Sequence, residues 1–166
     1  YGGMQDNGSW RGAGEVFENG EIRNFHWQEV GMGDGFDTLP NPENSRRGIT
    51  ETQGGNLIAW SLDDHEQRSI RPNGPADGTE LRFNWNSGMA QSPFDANTIY
   101  YGSQFLHKST DRGETWQIIS DDLTTNNPEF LSYKESGGLT PDSSAAENHM
   151  TIVAISASTI DENVIW

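Results

Sequence analysis

Short runs of alternating apolar and polar residues recur along the chain, separated by clusters of Gly, Asn, Asp, Ser and Pro. Such alternation is typical of β-strands with one buried face, and the residues between the runs favour tight turns. Apolar residues at helical spacing are almost absent, apart from one short helical turn predicted at Phe130–Lys134. The chain is therefore predicted to be all-β.

The predicted strands fall into three groups. The first group is a hairpin of Ser9–Phe17 and Ile22–Val30 around Asn19-Gly20, a dipeptide that favours hairpin turns. The second and third groups have four strands each. They are Phe36–Leu39, Gly48–Thr52, Leu57–Leu62 and Arg68–Ile70, and then Gly88–Ser92, Thr98–Tyr101, Phe105–Ser109 and Thr115–Ile119.

Two sequence similarities within the chain indicate a repeated unit. A Gln at a turn between two strands recurs at Gln5, Gln53 and Gln104, in steps of 48 and 51 residues. The segment Asp95–Tyr100 is echoed by Asp161–Trp166. A period near 50 suits one four-stranded blade of a β-propeller. We therefore expect an incomplete ring of antiparallel blades, divided as a partial blade 1–36, a second blade 37–87, a third blade 88–149 with a long loop insertion at 121–149, and the start of a further blade at 150–166.

The segment Ser109–Trp116 has the pattern Ser-x-Asp-x-Gly-x-Thr-Trp. Asp111 is suited to accept hydrogen bonds from backbone N–H groups of a tight turn, and Gly113 permits a positive φ. The indole of Trp116 is large enough to fill the space between two sheets. This pattern is an Asp-box, and the sequence resembles the Asp-box (BNR-repeat) β-propellers. The residues predicted to be structural in the box are Ser109, Asp111, Gly113, Thr115 and Trp116.

The resemblance extends over most of the chain. It rests on Gly2–Gly12, Gly33–Phe36, Gln53–Gly55, Arg82–Asn86 and Ser109–Trp116. In these segments the chain is similar to large bacterial sortilin-like proteins that are often labelled glycosyl hydrolases. The resemblance implies a larger secreted or cell-envelope protein. Since a closed propeller needs at least four blades, we expect the remainder of the propeller or a neighbouring chain as a partner.

Charge and composition disfavour several classes of binding partner. The chain has ten Lys and Arg against 25 Asp and Glu, for a net charge of -15. This charge repels nucleic acid and anionic lipid. No cysteine is present, so neither disulfides nor thiol chemistry is expected. No stretch has the roughly 20 apolar residues that cross a bilayer, so membrane insertion is not expected.

Blade geometry predicts where a ligand would bind. Because strands alternate in direction, turns after the second strand share a face with segments that enter a first strand, at the mouth of the central channel. The Asp-box turn lies on the opposite face. Trp85, between two Asn residues, is the best candidate to stack on a sugar ring. The predicted ligand-binding residues on the channel-mouth face are Gln5, Asn7, Asp34, Gln53, Asn84, Trp85, Asn86 and Gln104.

Three acidic residues on that face are candidate catalytic groups. A glycosidase needs two carboxylates about 5 to 9.5 Å apart, and Asp6, Asp34 and Glu147 would supply such a pair. The alternative is turn chemistry, in which Asp6 and Asn7 form an Asx-type turn and Asp34 belongs to a flexible loop. Two functions therefore remain open: a recognition or scaffold module that binds protein or glycan, and a glycoside hydrolase.

Other chemistries have less in their favour. The four His residues lack paired ligand spacing, so no metal is expected, and no cofactor motif occurs. The arginines are scattered, whereas a sialidase clamps its substrate carboxylate with several Arg side chains. No Gly-x-Ser-x-Gly elbow of a serine hydrolase is present.

Overall fold

The computed structural model describes residues 1–130, 146 and 148–166. Its strands form three antiparallel sheets of three or four strands each. The helical elements in the described part are two short 3-10 turns, Asn24–His26 and Pro128–Phe130. The described chain is therefore all-β, as predicted. Glu147 and the rest of the predicted helical turn, residues 131–134, lie outside the described residues.

The first sheet, sheet A, has the strand order β1-β2-β3. Its strands are β1 (Gly2–Met4), β2 (Gly8–Arg11) and β3 (Gln28–Gly31). Strands β2 and β3 pair as predicted, but both are shorter than the predicted hairpin, and residues 12–27 form a loop. Within the described residues this segment gains little burial, since its Phe17 is 98% exposed. Without burial, strand propensity alone does not extend the ladder.

Sheets B and C are four-stranded meanders. Each strand pairs with the next one along the chain, so each sheet is built from local connections. Sheet B consists of β4 (Gly35–Pro40), β5 (Arg47–Thr52), β6 (Asn56–Ser61) and β7 (Glu66–Ser69). Sheet C consists of β8 (Met89–Gln91), β9 (Ile99–Gly102), β10 (Leu106–Ser109) and β11 (Gln117–Ile118).

The chain forms two compact units, each with its own core. The first unit comprises residues 1–52 and 57–69, and the second comprises residues 53–56 and 70–166. Burial of apolar side chains provides the main driving force for each. The buried apolar residues are Val30, Ile49, Leu57 and Trp60 in the first unit, and Ile70, Phe83, Met89, Ile99, Tyr100 and Tyr101 in the second.

One turn occurs three times, over residues 41–47, 92–98 and 158–164. In each copy the first residue donates its N–H to the carbonyl of the seventh, at 2.9, 2.9 and 3.0 Å. The seventh donates to the carbonyl of the fourth, at 3.0, 3.0 and 3.1 Å. Side-chain oxygens of the first and fourth residues accept the N–H two residues further on. The first and fourth residues are Asn41 and Asn44, Ser92 and Asp95, and Ser158 and Asp161.

This repeated turn occupies the same place in successive strand pairs. It joins β4 to β5 and β8 to β9, and the third copy lies between the bridge partners Ala157 and Ile165. The sequence echo between 95–100 and 161–166 corresponds to its second and third copies. The described chain therefore contains structural repeats of one antiparallel unit.

A second kind of turn joins β1 to β2, β5 to β6 and β9 to β10. These turns span residues 5–7, 53–55 and 103–105. Gln5 and Gln53 are the first residues of their turns, whereas Gln104 is the second residue of its turn. The Gln spacing therefore locates the turns correctly, but the third Gln is shifted by one position.

Candidate functional site

In the first unit, the structure brings together two of the candidate acids, Asp6 and Asp34. Asp6 lies in the turn between β1 and β2, and Asp34 directly precedes β4. The Asp34 carboxylate accepts the N–H of Asp6 at 2.7 Å, across 28 residues of sequence. Asp34 is only 6% exposed, whereas Asp6 is exposed. The third candidate, Glu147, lies outside the described residues.

The contacts around Asp34 shape the β1–β2 turn. Asp6 has a φ of 63°, a left-handed conformation that Asp tolerates better than most residues. Gly8 donates its N–H to the Gly33 carbonyl at 2.9 Å, beside the Asp34 contact. Asn7 donates its side-chain amide to the Gln5 carbonyl at 2.9 Å. At least one oxygen of the Asp34 carboxylate therefore holds a strained turn, which is the behaviour of a structural cap.

In the second unit, Trp85 is half-buried between Asn84 and Asn86. Its carbonyl accepts the N–H of Gly54 at 3.2 Å. The Asn84 side-chain amide donates to the carbonyls of residues 146 and 148, at 3.2 and 2.6 Å. Backbone and amide hydrogen bonds therefore hold the segment on both sides of the indole.

Two buried amide oxygens near Trp85 have no hydrogen-bond partner in the part of the chain that the structure describes. They are Oδ1 of Asn86 and Oδ1 of Asn148. The Asn148 amide nitrogen is engaged, since it donates to the Phe83 carbonyl at 2.7 Å. Unsatisfied buried acceptors are uncommon in folded proteins, and a bound water, an ion or a functional role can explain them. The segment around Trp85 thus combines a half-buried aromatic side chain with buried acceptors that lack a hydrogen-bond partner among the described residues.

Gln104 supports the same segment from below the surface. It is 0% exposed. Its carbonyl oxygen accepts the N–H of Arg82 at 2.8 Å, and its amide donates to the Glu80 carbonyl at 2.9 Å. Both polar groups of the side chain are therefore occupied by backbone. Gln104 thus positions the chain that leads to Trp85. Gln53 is half-buried and directly precedes Gly54, which bonds the Trp85 carbonyl.

An ion pair that the sequence analysis did not single out lies beside Gln104. Arg82 contacts the Asp122 carboxylate at 2.7 Å and the Thr124 hydroxyl at 3.2 Å. Burial alone would raise the pKa of Asp122, but hydrogen bonds from Thr124 and Arg82 outweigh it and lower that pKa. The Asp-x-Thr pattern at residues 122–124 signals the local turn, whereas nothing in the sequence signals its pairing with Arg82, 40 residues away.

The Ser109–Trp116 turn is closed by its own side chains. Ser109 donates its hydroxyl to Asp111 at 2.7 Å and accepts the N–H of Gly113 at 2.7 Å. The Asp111 carboxylate accepts both the N–H and the hydroxyl of Thr115, at 2.9 and 2.5 Å. These bonds from Thr115 are the main reason why the pKa of Asp111 is lowered. The acceptors of Asp111 are thus engaged within the turn.

Two further contacts fasten this turn to other residues of the second unit. Gly113 has a φ of 89°, and a Cβ atom there would lie 2.5 Å from the Ile70 side chain. Trp116 donates its indole N–H to the Ile70 carbonyl at 2.7 Å, and its ring lies 6.2 Å from that of Tyr101. The turn is therefore a packing element.

The described ranges contain neither a clustered set of potential metal ligands nor a helix suited to span a membrane. No three acidic or His side chains there are grouped in a way that would hold a metal ion. None of the helical segments in the same ranges has the length and apolar character to cross a bilayer.

Comparison with known proteins adds no family assignment. No protein-family model matches the chain, and a search of curated proteins found no similar sequence.

Proposed function

We propose that this chain is a segment of an Asp-box (BNR-repeat) β-propeller that serves as a recognition or scaffold module. The support is the recurrence of one turn at the same place in successive strand pairs, together with the bonding of the Ser109–Trp116 turn. Repeated four-stranded meanders are the units from which propellers are built. In this proposal the chain belongs to a larger secreted or cell-envelope protein, whose other blades come from the remainder of the propeller or from a neighbouring chain.

The surface around Trp85 is the proposed ligand site. The observation that carries this proposal is a half-buried indole between two Asn residues, in a segment where two amide oxygens have no hydrogen-bond partner among the described residues. Ligand sites typically combine an aromatic surface with a few fixed polar groups. An indole packs on the flat face of a sugar ring, and amides bond hydroxyl groups. The proposed ligand is therefore a glycan, or a protein surface of similar chemistry.

Calorimetric titration with neutral oligosaccharides from plant and bacterial cell walls tests this site. Trp85→Ala is expected to weaken binding at least about tenfold, because truncation removes the central aromatic contact. Trp27→Ala is the matched control, since this exposed indole lies in the first unit. Equal affinities for the two variants, with intact circular dichroism spectra, would contradict the proposed site.

A glycoside hydrolase is the alternative, and the proximity of Asp6 to Asp34 is the observation that favours it. Asp34→Asn removes the ionisable group but keeps an oxygen for the Asp6 N–H, so folding should be retained. If the pair is catalytic, release of reducing sugar from soluble glycans falls at least about 100-fold in this variant. Unchanged release would exclude a catalytic role for Asp34.

Recognition is the primary proposal because of how Asp34 is used. An Oδ atom that accepts the Asp6 N–H is committed to the β1–β2 turn, whereas a nucleophile or base needs access to its substrate. Asp34 is also buried. A recognition module does not require the carboxylate of Asp6 or of Asp34 to react.

A further inference from the structure

The loop of residues 12–27 in sheet A occupies a distinctive position. It joins β2 to β3, at the opposite end of the sheet from the β1–β2 turn that contains Asp6. The equivalent connections are residues 62–65 in sheet B and residues 110–116 in sheet C, and both are shorter. Sheet A therefore carries an enlarged loop where the other sheets have compact turns, away from the Asp6 end of the sheet.

This loop presents large apolar side chains to solvent. Phe17 is 98% exposed and Phe25 is 67% exposed. Ile22 and Trp27 are also exposed, at 41% and 46%. Single exposed apolar residues need no explanation, but four on one loop indicate an interaction surface. Aromatic side chains, Phe among them, are enriched at protein interfaces.

Contacts within the loop give it a defined conformation. The Arg23 N–H donates to Nδ1 of His26 at 2.9 Å, and the other ring nitrogen of His26 lies 3.8 Å from the Glu18 carboxylate. The Arg23 guanidinium donates to the Asn19 carbonyl at 3.1 Å. At the base of the loop, the Trp27 ring lies so close to Gly12 that a Cβ atom there would clash with it. A preorganised loop loses less entropy on binding.

The charge of the loop indicates the charge of the partner that it would bind. Glu15, Glu18 and Glu21 are exposed on it, and Arg23 is its only Lys or Arg. An apolar surface edged by carboxylates is complementary to apolar residues flanked by Lys or Arg. It repels nucleic acid and anionic lipid. Charge complementarity therefore points to a basic segment of another protein.

We propose that the loop of residues 12–27 docks a basic, apolar segment of a partner protein. Phe17 and Phe25 supply the apolar contact, while Glu15 and Glu21 bind the flanking cations. This surface shares no residue with the proposed Trp85 site, so the two proposals are tested independently.

Fluorescence anisotropy with a labelled peptide of alternating Lys-Lys and Leu-Leu pairs tests the docking surface. The double substitution Phe17→Ser and Phe25→Ser is expected to raise Kd about tenfold. Glu15→Gln with Glu21→Gln is expected to raise it several-fold, because two cation contacts are lost. Both pairs are exposed, so thermal unfolding should be unchanged. A peptide with Glu in place of Lys is expected not to bind.

The matched control separates this loop from the general negative charge of the protein. Glu43→Gln with Glu162→Gln removes the same charge from exposed positions elsewhere, and is expected to change Kd less than about twofold. The proposal is overturned if this control weakens binding as much as the loop pair does. It is also overturned if the Phe substitutions have no effect, or if the protein prefers neutral phosphatidylcholine vesicles to the Lys-Leu peptide.

Discussion

The Ser109–Trp116 turn of sheet C and the loop of residues 12–27 in sheet A join the same pair of strands in their respective sheets, yet they differ in how they use their side chains. In the turn, Ser109 and Asp111 bond within the turn, and Trp116 bonds and packs on the second unit. In the loop, the large apolar side chains face solvent. A connection held by side-chain hydrogen bonds serves stability, whereas one that leaves large apolar groups exposed is available to a partner.

The strands that lead into these two connections, β2 and β10, also differ. Ser9 in β2 and His107 in β10 are both the second residue of their strand, and both are buried. Ser9 accepts a hydrogen bond from Thr50 at 2.6 Å. His107 contacts the Ser103 hydroxyl at 2.8 Å, and its Nδ1 has no partner within the described residues. Burial lowers the pKa of His107 to about 4, so sheet C alone carries a titrating group at this position.

The largest expected effect is a dependence of stability on pH that originates in sheet C. Because the pKa of His107 falls from 6.5 to about 4 on folding, the unfolded chain binds the extra proton between these values. The contribution of neutral His107 to stability is therefore fully present above pH 6.5. The free energy of unfolding decreases by about 3 kcal/mol as the pH falls to about 4. Urea unfolding at a series of pH values measures this loss. His107→Gln should flatten the curve in this window, and an equally steep curve for the variant would locate the effect elsewhere.

The next effect tests whether the Ser109–Trp116 turn is a stability element. Asp111→Ala removes the acceptor of both Thr115 bonds and is expected to lower the free energy of unfolding by about 1 to 3 kcal/mol. Glycan affinity should not change selectively. Asp121→Ala, at an exposed carboxylate outside the turn, is the control and should have little effect. Normal stability of the Asp111 variant in urea would refute the structural role.

The smallest effect concerns the loop of sheet A. Phe17→Ser should change the free energy of unfolding by less than about 0.5 kcal/mol, because this side chain is 98% exposed. Differential scanning calorimetry measures the change. A destabilisation comparable to that of Asp111→Ala would show that the loop packs like the turn, and would remove the contrast between the two regions.

Agreement between prediction and structure is closer in sheets B and C than in sheet A. In sheets B and C, every strand was predicted to within about two residues at its ends, which is the usual uncertainty of boundaries. In sheet A, Asn19-Gly20 indicated a hairpin turn, but residues 12–27 form a loop. Strand propensity depends on packing context, and no pattern within residues 12–27 reveals that Phe17 stays exposed in the described structure.

The sequence also predicted only part of the candidate site. Trp85, Asn84 and Gln104 were singled out from the sequence, and the structure connects them to one segment, residues 80–88. That Gln104 is fully buried, and that Arg82 pairs with Asp122, depends on contacts across 22 and 40 residues. Such pairings are not encoded in local spacing.

By itself, the sequence determined the all-β class, the strands of sheets B and C, and the pattern of the Ser109–Trp116 turn. These features depend on alternation and on hydrogen bonds between residues no more than four positions apart. Only the tertiary structure decided that Asp34 holds the Asp6 turn and that the loop of residues 12–27 stays open. The physical reason is that local turn chemistry acts within a few residues, whereas burial and long-range caps depend on which segments the fold brings together.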